Sequence, residues 1–148
     1  MINNKLEPSD LKDIGLLKNY RIIRRWACRN NDLRDSDLEL LVHFDCLEFF
    51  TKQDYKNGTY YYPWCGDRWN KLLKEGWIIV WRTRNRTTQK YNIYKLSFKC
   101  QQLISRMYRI MLGKEDIPTS HRNVIMKGDT YINRQMSLSI KSANKKQN

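Results

Sequence analysis

Apolar positions recur at helical spacing through the first third of the chain and predict two helices. An apolar stripe runs from Ile14 to Trp26 and predicts a first helix over 10–29. A capping box of the form S-x-x-E begins at Ser36 and precedes a second apolar run. This pattern predicts a second helix over 37–46.

The middle of the chain contains two shorter helical patterns. The capping sequence that begins at Thr51 predicts a short third helix. Beyond it, apolar residues at i, i+4, i+7 and i+8 start at Cys65 and predict an amphipathic fourth helix over 63–75. Pro63 suits the first turn of that helix, and Gly76 suits its end.

Two segments rich in β-forming residues flank a polar stretch and predict a β-hairpin. Trp77–Trp81 is the first strand, residues 82–90 form a tip without apolar residues, and Tyr91–Leu96 is the second strand. Ser97 can cap a final helix, which Gly113 would end.

The order of these elements predicts a mainly α fold with a small β-hairpin, of the winged helix-turn-helix type. Residues 1–9 are predicted to be a lead-in, and residues 10–117 a single winged helix-turn-helix domain. After Pro118 the apolar content falls and helical periodicity fades. Residues 118–148 are therefore predicted to form a basic, flexible C-terminal tail.

The net charge of +13 on 148 residues favours a polyanionic partner, because like charges on a small domain repel each other. Nucleic acid, an acidic membrane surface and an acidic protein all satisfy this requirement. The stretch from Tyr60 to Cys100 has nine basic and two acidic residues, whereas Ser36 to Thr59 has two basic and five acidic ones. The uneven distribution predicts one basic face and one acidic or neutral face.

Candidate chemistry is scarce. The four cysteines and two histidines lack metal-ligand spacing, so no metal or cofactor is predicted and free thiols in a reducing compartment are the simpler interpretation. No Ser-His-Asp or Cys-His arrangement is apparent, which argues against an enzyme. No apolar run approaches the roughly 20 residues of a membrane span, and no signal peptide is evident. A cytoplasmic protein is expected.

The hairpin carries the strongest candidate binding residues. Arg82, Arg84 and Arg86 recur at every second position, so an extended strand would project them from one face, and Lys90 approaches from the second strand. Phosphates would relieve the repulsion between such guanidinium groups. The alternative is a solvated hairpin tip with no binding role.

The fourth predicted helix supplies a second candidate surface. Arg68, Lys71 and Lys74 lie on the side away from its apolar face, and Asn70 is a candidate base reader. The alternative is an ordinary solvated helix face. Tyr60, Tyr61, Tyr62 and Trp64 precede this helix and either pack the turn or stack on bases.

The stretch from Ser36 to Gly113 resembles the MarR-type winged helix-turn-helix family. Four motifs that occur in the order and spacing of the family carry the resemblance: Ser36-Asp37-Leu38-Glu39-Leu40-Leu41, Phe50-Thr51-Lys52-Gln53-Asp54-Tyr55, Leu73-Lys74-Glu75-Gly76-Trp77-Ile78 and Leu96-Ser97. The resemblance covers about half of the chain.

The resemblance implies DNA binding as a homodimer, with helix 63–75 as recognition helix and residues 82–90 as the wing. Arg68 and Lys71 then fall at recognition-helix contacts. The family's Asp-x-Arg wing motif is absent, and the segment after Pro118 lacks the terminal helical stripe through which the family often dimerises.

Two functions therefore remain open. The leading hypothesis is a transcriptional regulator that contacts double-stranded DNA with helix 63–75 and the wing. The rival is a winged-helix docking or structural subunit of a larger assembly, such as a virion or polymerase complex, with a protein partner. The richness in Asn, Lys and Ile is typical of an AT-rich genome and points to a phage, which would place the protein in the host cytoplasm or the virion.

Overall fold

The computed structural model describes residues 5–58, 63–85 and 90–144 and has a mainly helical fold with a small three-stranded antiparallel sheet. The elements in chain order are α1 (Pro8–Asp13), α2 (Leu16–Asn31), α3 (Asp35–Leu47), β1 (Phe49–Phe50), α4 (Lys52–Asn57), α5 (Gly66–Lys74), β2 (Ile78–Asn85), β3 (Lys90–Leu96), α6 (Phe98–Met111), a 3₁₀ helix (Val124–Lys127) and α7 (Tyr131–Asn144). The predicted combination of helices and a β-hairpin is confirmed at this level.

The chain divides into two compact units, where the sequence predicts a single domain over 10–117. One unit comprises residues 36–104, and the other combines residues 1–35 with residues 105–148. We call them the central unit and the terminal unit.

The predicted helix 10–29 is interrupted in the structure. Gly15 has a φ of +67° and separates α1 from α2. A left-handed backbone conformation costs glycine less than any residue with a side chain, so the first helix can end there and a new one begin. The second helix, α2, then extends to Asn31.

The segment after Pro118 also differs from its prediction as a flexible tail, because it contains the 3₁₀ helix and α7. The side chain of Asn144 accepts a hydrogen bond from Ile117 N at 2.9 Å and donates one to Ile117 O at 2.9 Å. Ile125 and Ile140 are fully buried. Tertiary contacts thus stabilise this segment, and the apolar residues of α7 recur at helical spacing, a signal that the prediction did not use.

A second anchor of this segment is Asn123, a buried polar residue in the terminal unit. Its Oδ1 accepts a hydrogen bond from Asn30 Nδ2 at 3.0 Å, and its Nδ2 donates one to Pro118 O at 2.7 Å. Asn30 Oδ1 in turn accepts from Val124 N at 2.9 Å. Such side-chain hydrogen bonds satisfy backbone groups outside regular helices.

In the central unit, the predicted short helix begins at its predicted cap. The Thr51 hydroxyl accepts a hydrogen bond from Asp54 N, and the Asp54 carboxylate accepts one from Thr51 N. Helix α5 starts at Gly66, later than the predicted position 63. The Tyr55 hydroxyl holds the preceding loop, since it donates to Pro63 O and accepts from Cys65 N, each at 3.2 Å.

The sheet has the order β1-β3-β2, and both of its pairings are antiparallel. Strands β2 and β3 continue as far as Asn85 and Lys90, so most of the predicted polar tip is paired strand. Trp69 of α5 packs against the sheet, with its ring centre 4.9 Å from that of Tyr94 and 6.2 Å from that of Phe50. This packing joins α5 to the hairpin through a shared aromatic core.

Candidate nucleic-acid interface

A β-bulge at Trp81 determines which way the hairpin arginines point. Val80 pairs with Tyr94 and Arg82 pairs with Ile93, so Trp81 has no partner on β3. Because side chains alternate along a strand, one extra residue moves all later side chains to the opposite face. If Trp81 were paired as in a regular strand, Arg82 and Arg84 would share the face of buried Ile78; with the bulge, they project from the other face.

We call that other side the outer face of the hairpin, defined by Arg82, Arg84 and their cross-strand partners Ile93 and Tyr91. Both arginines are exposed. No carboxylate in the described ranges lies within salt-bridge distance of either guanidinium. The structure therefore brings these two predicted binding residues together and leaves their charges available.

Arg82 is also held by an aromatic stack. Its guanidinium carbon lies 4.4 Å from the ring centre of Trp81, and the Trp81 ring stacks on Phe49 at 4.2 Å. A guanidinium on an aromatic face keeps its hydrogen-bond donors free at its edge. The stack thus orients a cation without neutralising it.

Lys90 lies on the opposite face from the two arginines, which corrects the prediction that it joins them. It pairs with Asn85, and the next pair on this inner face is Thr83 with Asn92. This inner face and helix α4 form a groove. Lys52 and Lys56 of α4 line it, as does Lys90 of the hairpin. The hairpin therefore presents cations on both sides.

Sequence reasoning missed Lys52 and Lys56, since both lie in a region whose net charge is negative. Their ammonium nitrogens lie 5.5 Å and 5.0 Å from the ring centre of Trp64. Trp64 in turn packs edge-on against Tyr55, with ring centres 4.8 Å apart. Of the aromatic cluster before α5, Trp64 therefore packs the turn, whereas Tyr60, Tyr61 and Tyr62 lie outside the described residues.

On α5, two predicted DNA contacts are engaged within the protein. Arg68 Nε lies 2.9 Å from Asp37 Oδ1, and Lys71 Nζ lies 3.2 Å from Asp37 Oδ2. Arg68 also donates to the Ser36 hydroxyl at 3.0 Å. Asp37 is buried, with 2% of its surface exposed. A buried carboxylate requires such partners, so both cations have a structural role that the sequence prediction did not include.

The pKa of Arg68 reflects this environment. Burial by itself would lower the pKa of the guanidinium, but the Tyr55 hydroxyl and the Asp37 carboxylate raise it above its ordinary value overall. The charge of Arg68 is thus fixed in place beside Asp37.

The remaining predicted residues of α5 are exposed. Asn70 and Lys74 lie on the same helical face as Asp67, one or two turns apart. The charges of Asp67 and Lys74 offset each other, so this face is close to neutral. Arg86, the last predicted wing residue, lies outside the described residues.

Other chemistry is sparse in the described part of the chain. Residues 5–58, 63–85 and 90–144 contain no cluster of three or more His, Cys, Asp or Glu that could hold a metal ion. No helix within these ranges has both the length and the hydropathy of a bilayer-spanning segment.

Comparison with known proteins adds no further constraint. No protein-family model, no curated protein and no solved structure gives a significant match to the chain.

Proposed function

We propose that the protein binds double-stranded DNA through a winged-helix arrangement in its central unit and acts as a regulator of transcription. In this arrangement α3, α4 and α5 are the three helices, and the β2–β3 hairpin is the wing. The contact surface consists of the outer face of the hairpin and the lysine groove between α4 and the inner face.

The topology of the central unit supports this assignment. Its elements follow one another in the order that a winged helix requires, which is α3, β1, α4, α5 and the hairpin. Strand β1 pairs with β3, the second strand of the hairpin. In helix-turn-helix proteins the second helix of the motif enters the major groove. Here that helix is α5, which offers Asn70 and Lys74 to solvent.

The observation that carries the proposal is the pair of exposed arginines on one face of the hairpin. Arg82 and Arg84 form no salt bridge with a carboxylate among the described residues. Two close guanidinium groups on a rigid ribbon repel each other, and phosphate oxygens relieve this repulsion while accepting charge-assisted hydrogen bonds.

The division of roles between helix and hairpin follows from the Asp37 ion pairs. Because Arg68 and Lys71 are bound to Asp37, few charged groups of α5 are free to contact phosphates. We therefore assign most of the electrostatic affinity to the hairpin and the lysine groove. Such contacts position a protein on the duplex without reading its sequence.

The test is a salt titration of binding to a fluorescently labelled duplex, with the double variant Arg82→Ala/Arg84→Ala. Binding should weaken by more than about tenfold at low salt. The slope of log Kd against log salt should fall by about two, one for each lost phosphate contact. The matched control is Lys114→Ala/Arg122→Ala, which removes two exposed charges of the terminal unit.

Two outcomes would contradict the proposal. If the wild-type protein binds no duplex at about 50 mM salt, DNA is not its partner. If the control weakens binding as much as the hairpin variant does, the affinity reflects net charge alone and the hairpin is not the contact surface.

A second candidate function is protein docking, which the apolar part of the outer face favours. Phe49 and Ile79 both pair with Lys95 across the sheet and are 39% and 38% exposed. The two apolar residues flank Lys95 on one face of the sheet, and exposed apolar groups on one face are typical of a protein interface. A partner whose binding is insensitive to salt, and is lost with Phe49→Ser but not with Arg82→Ala/Arg84→Ala, would support this alternative.

A further inference from the structure

The most basic helix outside the proposed DNA-contact surface is α2 in the terminal unit. Its residues Lys18, Arg21 and Arg25 are spaced at i, i+3 and i+7 and therefore lie on one face. They form one wall of a cleft whose other wall is α7. No carboxylate of the described residues pairs with these three cations.

The second wall of the cleft carries exposed apolar side chains among uncharged polar ones. Tyr131, Ile132 and Leu138 of α7 line it and are 70%, 60% and 58% exposed. These are among the most exposed large apolar side chains of the described residues. Neither α2 nor α7 contains an Asp or Glu residue. The cleft therefore has cations on one side, apolar and uncharged polar groups on the other, and no anion of its own.

This combination restricts the chemistry of an occupant. A nucleic acid would satisfy the cations of α2 but would leave Ile132 and Leu138 exposed to water. A lipid surface binds amphipathic helices whose apolar stripe projects outward between flanking cations, whereas here the two kinds of residue face each other across a cleft. A helix with an acidic side and an apolar side satisfies both walls.

We propose that the cleft between α2 and α7 binds an acidic amphipathic helix of a partner protein. The carboxylates of that helix pair with Lys18, Arg21 and Arg25, and its apolar side packs on Ile132 and Leu138. Helix α2 has 16 residues, which corresponds to a length of about 24 Å, so an occupant of four to five turns would match it. This interaction is independent of the proposed binding of DNA by the central unit.

The experiment uses the full chain and a fluorescein-labelled peptide of about 16 residues with leucines at i, i+3, i+4 and i+7 and glutamates elsewhere. Fluorescence anisotropy measures its affinity for wild type, for Arg21→Glu/Arg25→Glu and for Ile132→Ser/Leu138→Ser. Both variants should weaken binding by about tenfold or more, because each removes one of the two complementary surfaces.

Two controls separate the cleft from general charge attraction. Lys114→Glu/Arg122→Glu makes the same charge change at exposed positions that do not line the cleft and should alter the affinity by less than about twofold. A peptide of the same composition with its leucines spread around the helix should bind more weakly than the amphipathic peptide. Circular dichroism verifies that every variant retains its helices.

The proposal is overturned if the spread-leucine peptide binds as well as the amphipathic one, since charge alone would then explain binding. It is also overturned if both cleft variants leave peptide affinity unchanged. In parallel, a labelled duplex and vesicles containing phosphatidylserine are titrated with the same variants. If Ile132→Ser/Leu138→Ser impairs vesicle binding but not peptide binding, the cleft recognises lipid. If Arg21→Glu/Arg25→Glu impairs duplex binding only and the other variant has no effect, the cleft recognises nucleic acid.

Discussion

Arg68 Nε donates a hydrogen bond to Asp37 Oδ1 at 2.9 Å, although the two residues are 31 positions apart in the chain. This pair connects the start of α3 to α5, and Lys71 completes it from the next turn of α5. The position of α5 thus depends on one buried carboxylate in addition to the aromatic packing of Trp69.

Replacement of Asp37 by Asn should destabilise the protein. The change removes the charge from the hydrogen bonds that Arg68 and Lys71 donate. A hydrogen bond to a charged group contributes about 1.5–3 kcal/mol to stability. Urea denaturation should show a lower midpoint with an unchanged slope. Glu48→Gln, at an exposed carboxylate that forms no described salt bridge, should change the free energy of unfolding by less than about 0.5 kcal/mol. Equal stability of Asp37→Asn and wild type would show that the ion pairs do not hold α5.

The lysine groove predicts a second effect on DNA binding. Lys52→Ala/Lys56→Ala should reduce the salt slope for duplex binding by about two, as the hairpin variant does. Combination with Arg82→Ala/Arg84→Ala should be additive, because the groove and the outer face contact different phosphates. If the double variant in the groove leaves duplex affinity unchanged in the assay described above, DNA contacts only the outer face.

The attachment of α7 to Ile117 can be tested through Asn144. Asn144→Ala removes two hydrogen bonds to the backbone of Ile117 and should cost about 1–3 kcal/mol. Native-state hydrogen exchange should show faster exchange of the Ile117 amide proton. Ser142→Ala, at an exposed position of α7, serves as the control. A tail without structure would show no protection at Ile117 in either protein.

The four free cysteines should differ in reactivity. Burial raises the pKa of the Cys100 thiol to about 12, with a further increase from Asp45 and an opposing effect of Lys99. Cys28 is also buried, whereas Cys46 is exposed. Since the thiolate is the reactive form, a disulfide reagent at pH 8 should label Cys46 rapidly and Cys100 only after denaturation. Cys65 is half-buried, so the variant Cys46→Ser/Cys65→Ser should lose the rapid phase. Rapid labelling that persists in this variant would contradict the burial of Cys28 and Cys100.

The hydrogen bonds to Glu115 predict that part of the free energy of unfolding is lost at acidic pH. Burial alone would raise the pKa of this carboxyl, but hydrogen bonds from Arg106 and Arg109 lower it overall. A carboxyl with a lower pKa in the folded state stabilises the protein above its ordinary pKa of 4.5, and this contribution is lost as the pH falls through the folded-state pKa. The Tm of Glu115→Gln should therefore lie below that of wild type at about pH 6 and approach it near about pH 3. A constant difference across this range would exclude the ion pairs as its cause.

The sequence predicted the order of elements in the central unit because each of them has a local cause. Each signal lies within a few consecutive residues. The signals are the Thr51 cap, the apolar spacing of α5 and the β-forming segments around the hairpin. The break at Gly15 also has a local cause, since glycine is unfavourable inside a helix. The prediction of an uninterrupted first helix is wrong because the apolar stripe continues on both sides of Gly15, whose left-handed backbone nevertheless ends α1.

The site was predicted less well, because its geometry depends on contacts between distant residues. The pairing of Arg68 with Asp37 and the position of Lys90 beside α4 have no counterpart in local spacing. Helix α7 is likewise fixed in place by contacts with Ile117 and α2. Such tertiary effects override propensity where the local pattern is weak.

The bulge at Trp81 has a consequence for how this hairpin distributes its charge. If Trp81 paired with Ile93 instead, every later residue of β2 would shift by one position along β3 and carry both guanidinium groups to the side of Lys90. The amino-acid sequence would be unaltered, yet one surface would gain two positive charges and the other would lose them. A shortened strand without Trp81 would keep Arg82 opposite Ile93, so the irregular pairing, as much as the arginines themselves, sets the electrostatic polarity of the projection.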